Sequence, residues 1–89
     1  MRFTFIMEVD GGTYVSQVDA ADEVEATLAW CEKFPAEKIK GLRKKTLAES
    51  VRKELKEYGL APLDGLDGVW CASPRYKKRL ALMNVVRCG

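Results

Sequence analysis

The most constraining feature of this sequence is a pair of β-type segments joined by an Asp-Gly-Gly turn. In RFTFIMEV, residues 2–9, the alternate positions that share one face of a strand are apolar: Phe3, Phe5, Met7 and Val9. Asp10-Gly11-Gly12 follows, and such a segment supplies positive φ angles without a Cβ penalty. TYVSQV, residues 13–18, then returns as a second strand. The pattern predicts an antiparallel hairpin.

A helical period replaces the alternation in DAADEVEATLAWCEKF, residues 19–34. The predicted inner stripe and the aromatic pair beside it consist of five residues: Val24, Leu28 and Cys31, then Trp30 and Phe34. Asp22 followed by Glu25 resembles a capping box at the start of the helix. Phe34-Pro35 is predicted to end it, because the residue before a proline avoids the helical region.

A second amphipathic helix is predicted over TLAESVRKELKEYG, residues 46–59. Four residues make its predicted buried stripe: Leu47, Val51, Leu55 and Tyr58. Thr46 and Glu49 form another capping-box pair, and Gly59 stands where a left-handed residue usually ends a helix.

The C-terminal third predicts a second hairpin. Residues 60–68 are a loop with two Asp-Gly pairs, and residues 69–73 and 79–87 are strands. The element order is therefore ββααββ, an α+β fold with a four-stranded antiparallel sheet and two helices packed on one face. A length of 89 residues suits one domain, spanning 1–89.

Several kinds of chemistry are disfavoured by composition. The chain has no histidine, which excludes Ser–His and Cys–His catalysis, and we expect a protein that is not an enzyme and uses no cofactor. Three cysteines without C-x-x-C spacing predict reduced thiols rather than zinc ligands or disulfides. We expect no membrane span, and the acidic Glu8 without a cleavage site near it predicts no signal peptide and hence a cytoplasmic protein.

Charge is distributed unevenly along the chain. Residues 1–37 hold two basic and eight acidic residues, a net charge of −6, whereas residues 38–89 hold thirteen basic and five acidic residues, a net charge of +8. A basic surface for nucleic acid would use residues of the second hairpin tip and of the interhelical connection: Arg75, Tyr76, Lys77, Lys78 and Arg79, with Arg43, Lys44 and Lys45. Against this hypothesis, lysine and arginine often guard strand ends against aggregation, and the pI of 8.5 is modest.

The last predicted strand is apolar on both faces. Leu80, Leu82 and Val86 point one way, and Ala81, Met83 and Val85 point the other. Ile6 likewise lies opposite the phenylalanines of the first strand, although a solvated sheet face should be polar. We therefore expect a non-enzymatic interaction protein that self-associates or binds a protein partner through the sheet face or an edge strand. The predicted contact residues are four: Ile6, Tyr14, Trp70 and Met83.

Part of the sequence resembles known families. GGTYVSQV, a helix ending near Trp30 and VWC at residues 69–71 resemble a family of short bacterial proteins of unknown function. The strand–turn–strand and the following segment at residues 22–26 are also similar to the antitoxin half of the HicA/HicB toxin–antitoxin type. This chain differs in having neither the third strand nor the glycine- and cysteine-rich loop of that pattern. The resemblance implies a protein-binding role and assigns no site residues.

Overall fold

The computed structural model describes residues 1–33, 44–76 and 79–88. The predicted helix end at Phe34-Pro35, and Arg43, Lys77 and Lys78 of the predicted basic surface, lie outside this part. In chain order the described elements are β1 (Arg2–Val9), β2 (Gly12–Asp19), α1 (Glu23–Lys33), α2 (Lys44–Glu57), β3 (Ala61–Pro62), β4 (Val69–Ala72), β5 (Arg75–Tyr76), β6 (Arg79–Leu80) and β7 (Leu82–Cys88). The fold is α+β, and its main sheet is antiparallel with the strand order β2-β1-β7-β4-β3.

The first hairpin is confirmed in detail. Val9 pairs with Gly12, which leaves Asp10 and Gly11 as a two-residue loop. Their φ angles are 52° and 77°. Positive φ at both central positions is the hallmark of a type I′ turn, whose twist matches that of the flanking strands. Asp10 adopts this region because aspartate tolerates it better than most residues with a Cβ.

The four-stranded sheet predicted from the sequence is wrong by one strand. Ala61–Pro62, which lies in the predicted loop, pairs with Cys71 and Trp70 and forms the fifth strand, β3. A proline is compatible with this position because β3 is an edge strand and needs no hydrogen bond on its outer side.

The second hairpin is confirmed, but its return strand is divided. Val69 pairs with Val86 and Arg75 pairs with Leu80, so the register is the same in the main sheet and in the small β5–β6 arm. The Ala81 N–H donates to the Pro74 carbonyl at 2.9 Å between these two parts.

The core lies between one face of the main sheet and the two helices. Phe3, Phe5, Met7 and Val9 of β1 are buried as the alternation predicts, together with Met83 and Val85 of β7. Both helices contribute to the same cluster, α1 through Trp30 and α2 through Leu47 and Val51. These contacts place the helices on one side of the sheet.

The inward face of α1 differs from the predicted stripe. Val24 and Leu28 are 44% and 43% exposed, whereas Cys31 of the predicted stripe and the adjoining Trp30 are buried, together with Ala26 and Thr27. Trp30 determines this orientation. Its ring stacks on Phe5 with 5.7 Å between centroids, and its Nε1–H donates to Ser16 Oγ at 3.0 Å.

In α2 the N-terminal half of the predicted buried stripe is confirmed and its C-terminal end is not. Leu47 and Val51 are buried, Leu55 is half-buried and Tyr58 is 77% exposed. Thr46 lies inside the helix, which begins at Lys44, so the predicted cap at Thr46 is wrong. Gly59 has φ 71° and its N–H donates to the Leu55 carbonyl at 3.0 Å, as expected for the end of a helix.

The cap of α1 gives a test of local stability. Asp22 Oδ1 accepts the Glu25 N–H at 2.8 Å, which satisfies one of the unpaired donors of the first turn. We expect Asp22→Ala to lower the free energy of unfolding by about 1 kcal/mol, measured by urea denaturation. Asp64→Ala removes an exposed acid from a loop and is the matched control. Equal stability of the two variants would contradict the cap.

Candidate protein-interaction surface

The main sheet has a second face, opposite the helices, which we call the open face. It is formed by the strand residues that alternate with the buried ones, because successive side chains of a strand point to opposite sides. The strand register brings them together as follows: Ile6 pairs with Val15 and Asn84, Thr4 with Gln17 and Val86, Val69 with Val86, Cys71 with Asn84, and Glu8 with Leu82.

One part of the open face is apolar. Val15 is 65% exposed and Leu82 is 40% exposed. Half-buried apolar residues from three strands lie near them: Ile6, Val69 and Val86. Asn84, beside Ile6, and the exposed Glu8, beside Leu82, are the polar residues among them. This agrees with the prediction that apolar residues occupy both faces of the sheet. Apolar patches rimmed by polar residues mark interaction sites in many proteins.

The other part of the open face is polar. Gln17 Nε2 donates to Thr4 Oγ1 at 3.0 Å, and Thr4 Oγ1 lies 2.9 Å from Cys88 Sγ. Beyond them the Arg2 guanidinium bonds to Asp19 at 3.1 Å and lowers the pKa of that carboxyl, mainly through the hydrogen bond. Both partners are solvated, so this ion pair adds little stability. The apolar region is therefore bounded on one side by satisfied polar groups.

The two edges of the main sheet are unlike. At one edge, β3 has only two residues, one of them Pro62. At the other, β2 has eight residues and, within the described chain, only β1 as a neighbouring strand. Val15 lies in this long edge strand, and its side chain stands on the open face.

The structure separates the four contact residues predicted from the sequence. Ile6 lies on the open face, as predicted. Tyr14, Trp70 and Met83 lie on the helix-covered face: the first two pack against the core, and Met83 is fully buried. Burial in the monomer removes Met83 from any surface available to a partner. Val15, which pairs with Ile6 on the open face, is not among the four predicted residues, and the sequence alone does not show that its strand lies at the edge of the sheet.

The predicted basic surface is only partly described. Arg75, Tyr76 and Arg79 lie on the β5–β6 arm, and Lys44 and Lys45 begin α2. A groove of about 440 Å³ lies between α2 and the exposed Arg75, and its lining includes Glu54 and Glu57. Lys53 also lines the groove, so two carboxylates balance two basic side chains there and the groove offers no net positive charge to a phosphate backbone.

The cysteines occupy two environments. Cys31 is buried, donates weakly to the Ala48 carbonyl at 3.8 Å, and has its pKa raised mainly by burial. Cys71 and Cys88 are half-buried on the open face, and all three thiols are free. Among the described residues, no group of three His, Cys, Asp or Glu side chains could hold a metal ion. No described helix is long and apolar enough to cross a membrane.

No family model, curated protein or solved structure matches this chain. The resemblances stated from the sequence therefore remain predictions, and the surfaces described above carry the functional argument.

Thiol reactivity tests the placement of the cysteines. The thiolate is the reactive species, and burial both raises the pKa of Cys31 and shields its sulfur from reagents. Cys31 should therefore react with a thiol reagent far more slowly than Cys71 and Cys88. We expect Cys71 and Cys88 to be labelled in the folded protein and Cys31 only after denaturation, as mapped by peptide mass spectrometry. Labelling of Cys31 at the rate of Cys71 in the folded protein would contradict this packing.

Proposed function

We propose that this chain is a non-enzymatic interaction protein that associates with a second copy of itself through the β2 side of its main sheet. The observation that carries the proposal is the position of Val15. It is 65% exposed on an eight-residue edge strand, and it continues the apolar part of the open face. Association would remove the strand edge and the adjoining part of that side chain from water.

The location of the other exposed apolar residues supports the choice of this surface. Leu66 is isolated in the loop before β4, Leu80 lies on the small β5–β6 arm, and Val24 and Leu28 lie on the helix layer. The other two exposed apolar residues outside the main sheet are Met1, before β1, and Tyr58, after α2. Single exposed apolar residues are normal on a protein surface. Val15, in contrast, pairs with Ile6 and lies within the edge strand β2. A partner at this edge could therefore make both apolar contacts and backbone hydrogen bonds.

Nucleic-acid binding, the alternative from the sequence, has less support. The groove beside Arg75 and Lys53 also contains Glu54 and Glu57, so its charges balance, and a net charge of +2 for the chain gives weak attraction to a polyanion. A protein-binding role also agrees with the resemblance to HicB-type antitoxins. We place the protein in the cytoplasm, where free cysteines remain reduced.

Sedimentation equilibrium over a range of protein concentrations tests the proposal. We expect the wild-type chain to form dimers that dissociate on dilution. Val15→Lys should shift the equilibrium to monomer by about tenfold or more in the dissociation constant, because a charge on an edge strand opposes pairing.

Leu66→Lys is the matched control, since it adds the same charge at an exposed leucine outside the main sheet. It should leave the equilibrium unchanged. A wild-type protein that stays monomeric at every concentration would refute the proposed function, and equal effects of the two lysines would refute the assignment to Val15.

A further inference from the structure

The hydrogen-bond pattern of the first hairpin determines which backbone groups of β2 face outward. In a two-residue hairpin the residues that close the loop exchange backbone hydrogen bonds, and bonded and non-bonded pairs then alternate. Val9 and Gly12 close the loop. At the far end of the ladder, Met1 and Ala20 exchange bonds of 2.9 and 3.0 Å, which is the same alternation.

The even-numbered residues of β2 therefore bond to β1, and the odd-numbered residues direct their backbone groups away from it. The outward set consists of three residues within the strand and one at its end: Thr13, Val15 and Gln17, with Asp19. Their side chains lie on the open face, so every outward backbone group is next to an open-face side chain.

Within residues 1–33, 44–76 and 79–88, this edge carries no proline, no basic side chain and no neighbouring strand on its outer side. Residues Gly12–Asp19 include no proline, lysine or arginine, and the acidic Asp19 at the end is paired with Arg2. Natural edges are usually shortened, bulged or charged to prevent pairing with another chain. The opposite edge follows that rule, since β3 has two residues and includes Pro62. The difference between the edges points to pairing at β2.

We propose that two copies of this chain pair their β2 strands in an antiparallel manner about a two-fold axis perpendicular to the sheet. The two five-stranded sheets then form one continuous sheet. This inference rests on the proposed function and names its geometry. The occupant must be an extended strand with free backbone groups at every second residue, and β2 of a second copy has that property.

The sequence of β2 is compatible with its own antiparallel copy. Outward residues must oppose outward residues, so the axis passes through a residue rather than between two, and the two residues at the middle of β2 are Val15 and Ser16. With the axis at Val15, Thr13 opposes Gln17. With the axis at Ser16, Val15 opposes Gln17 and Thr13 opposes Asp19. Neither arrangement brings like charges opposite one another, a contact that destabilises sheet pairs.

The same geometry has a consequence for the open face. A two-fold axis perpendicular to the sheet places the helices of both copies on one side. The two open faces then lie side by side on the other side. With the axis at Val15, the Val15 side chains of the two copies face each other across the junction, and with the axis at Ser16 each faces Gln17 of the other copy. The dimer would present a continuous surface in which Ile6 and Leu82 of both copies take part.

A proline at Val15 tests the edge directly. Val15→Pro removes an outward N–H but no bond to β1, and proline is tolerated on the outer side of an edge strand. Val15→Thr is the matched control because it keeps the N–H and the β-branched shape. We expect Val15→Pro to weaken dimerisation about tenfold or more and Val15→Thr to change it by less than about threefold.

Amide hydrogen exchange of the wild-type protein tests the same pairing without a substitution. The N–H groups of Thr13, Val15 and Gln17 should exchange more slowly as the protein concentration rises. Those of Tyr14 and Ser16, which bond to β1, should be protected at every concentration.

The outcomes distinguish the two proposals. A dimer that withstands Val15→Pro, or that shows no concentration-dependent protection at Thr13 and Val15, overturns the edge pairing and leaves self-association standing. A protein that is monomeric at all concentrations overturns both. If Val15→Pro fails to fold, as judged by circular dichroism, the exchange pattern of the wild-type chain decides.

Discussion

The pairing of β1 with β7 is the constraint on which the rest of this structure depends. Seven residue pairs join these strands, and they place the N-terminal and C-terminal segments side by side in the middle of the sheet. β1 is bonded to β7 on one side and to β2 on the other, and no described strand lies on the outer side of β2. The second hairpin extends the sheet on the opposite side, where β3 ends it. The exposed edge therefore follows from the topology.

The helix layer depends on one aromatic contact in a similar way. Trp30 stacks on Phe5 and donates to Ser16, and it thereby attaches α1 to the first hairpin. Cys31, on the next position, reaches the Ala48 carbonyl of α2. These contacts draw both helices to the face that carries Phe5. The opposite face keeps Ile6, Val15 and Leu82 partly or largely in contact with water, and this asymmetry is the physical basis of the proposed function.

Local signals in the sequence were sufficient to predict the existence and order of the first hairpin, the two helices and the second hairpin. Alternation and Asp-Gly define the β1–β2 turn almost completely, and Asp22 marks the start of α1. Non-local contacts decided the remainder. The inward face of α1 depends on where the Trp30 ring meets Phe5, and β3 has too few residues to show a pattern. Trp70 and Met83 were assigned to a partner surface because β4 and β7 are apolar on both faces, and periodicity cannot tell which face the helices cover. Val15 becomes significant only when β2 is known to be an edge.

The proposed function depends on a surface in which backbone groups of β2 matter as much as side chains. The most direct test of this account is an isotope-filtered nuclear Overhauser experiment on a mixture of labelled and unlabelled copies of the full chain. The account predicts intermolecular contacts that link β2 of one copy to β2 of another, with Val15 among them. The absence of any intermolecular contact, together with a diffusion coefficient that does not change with concentration, would contradict it.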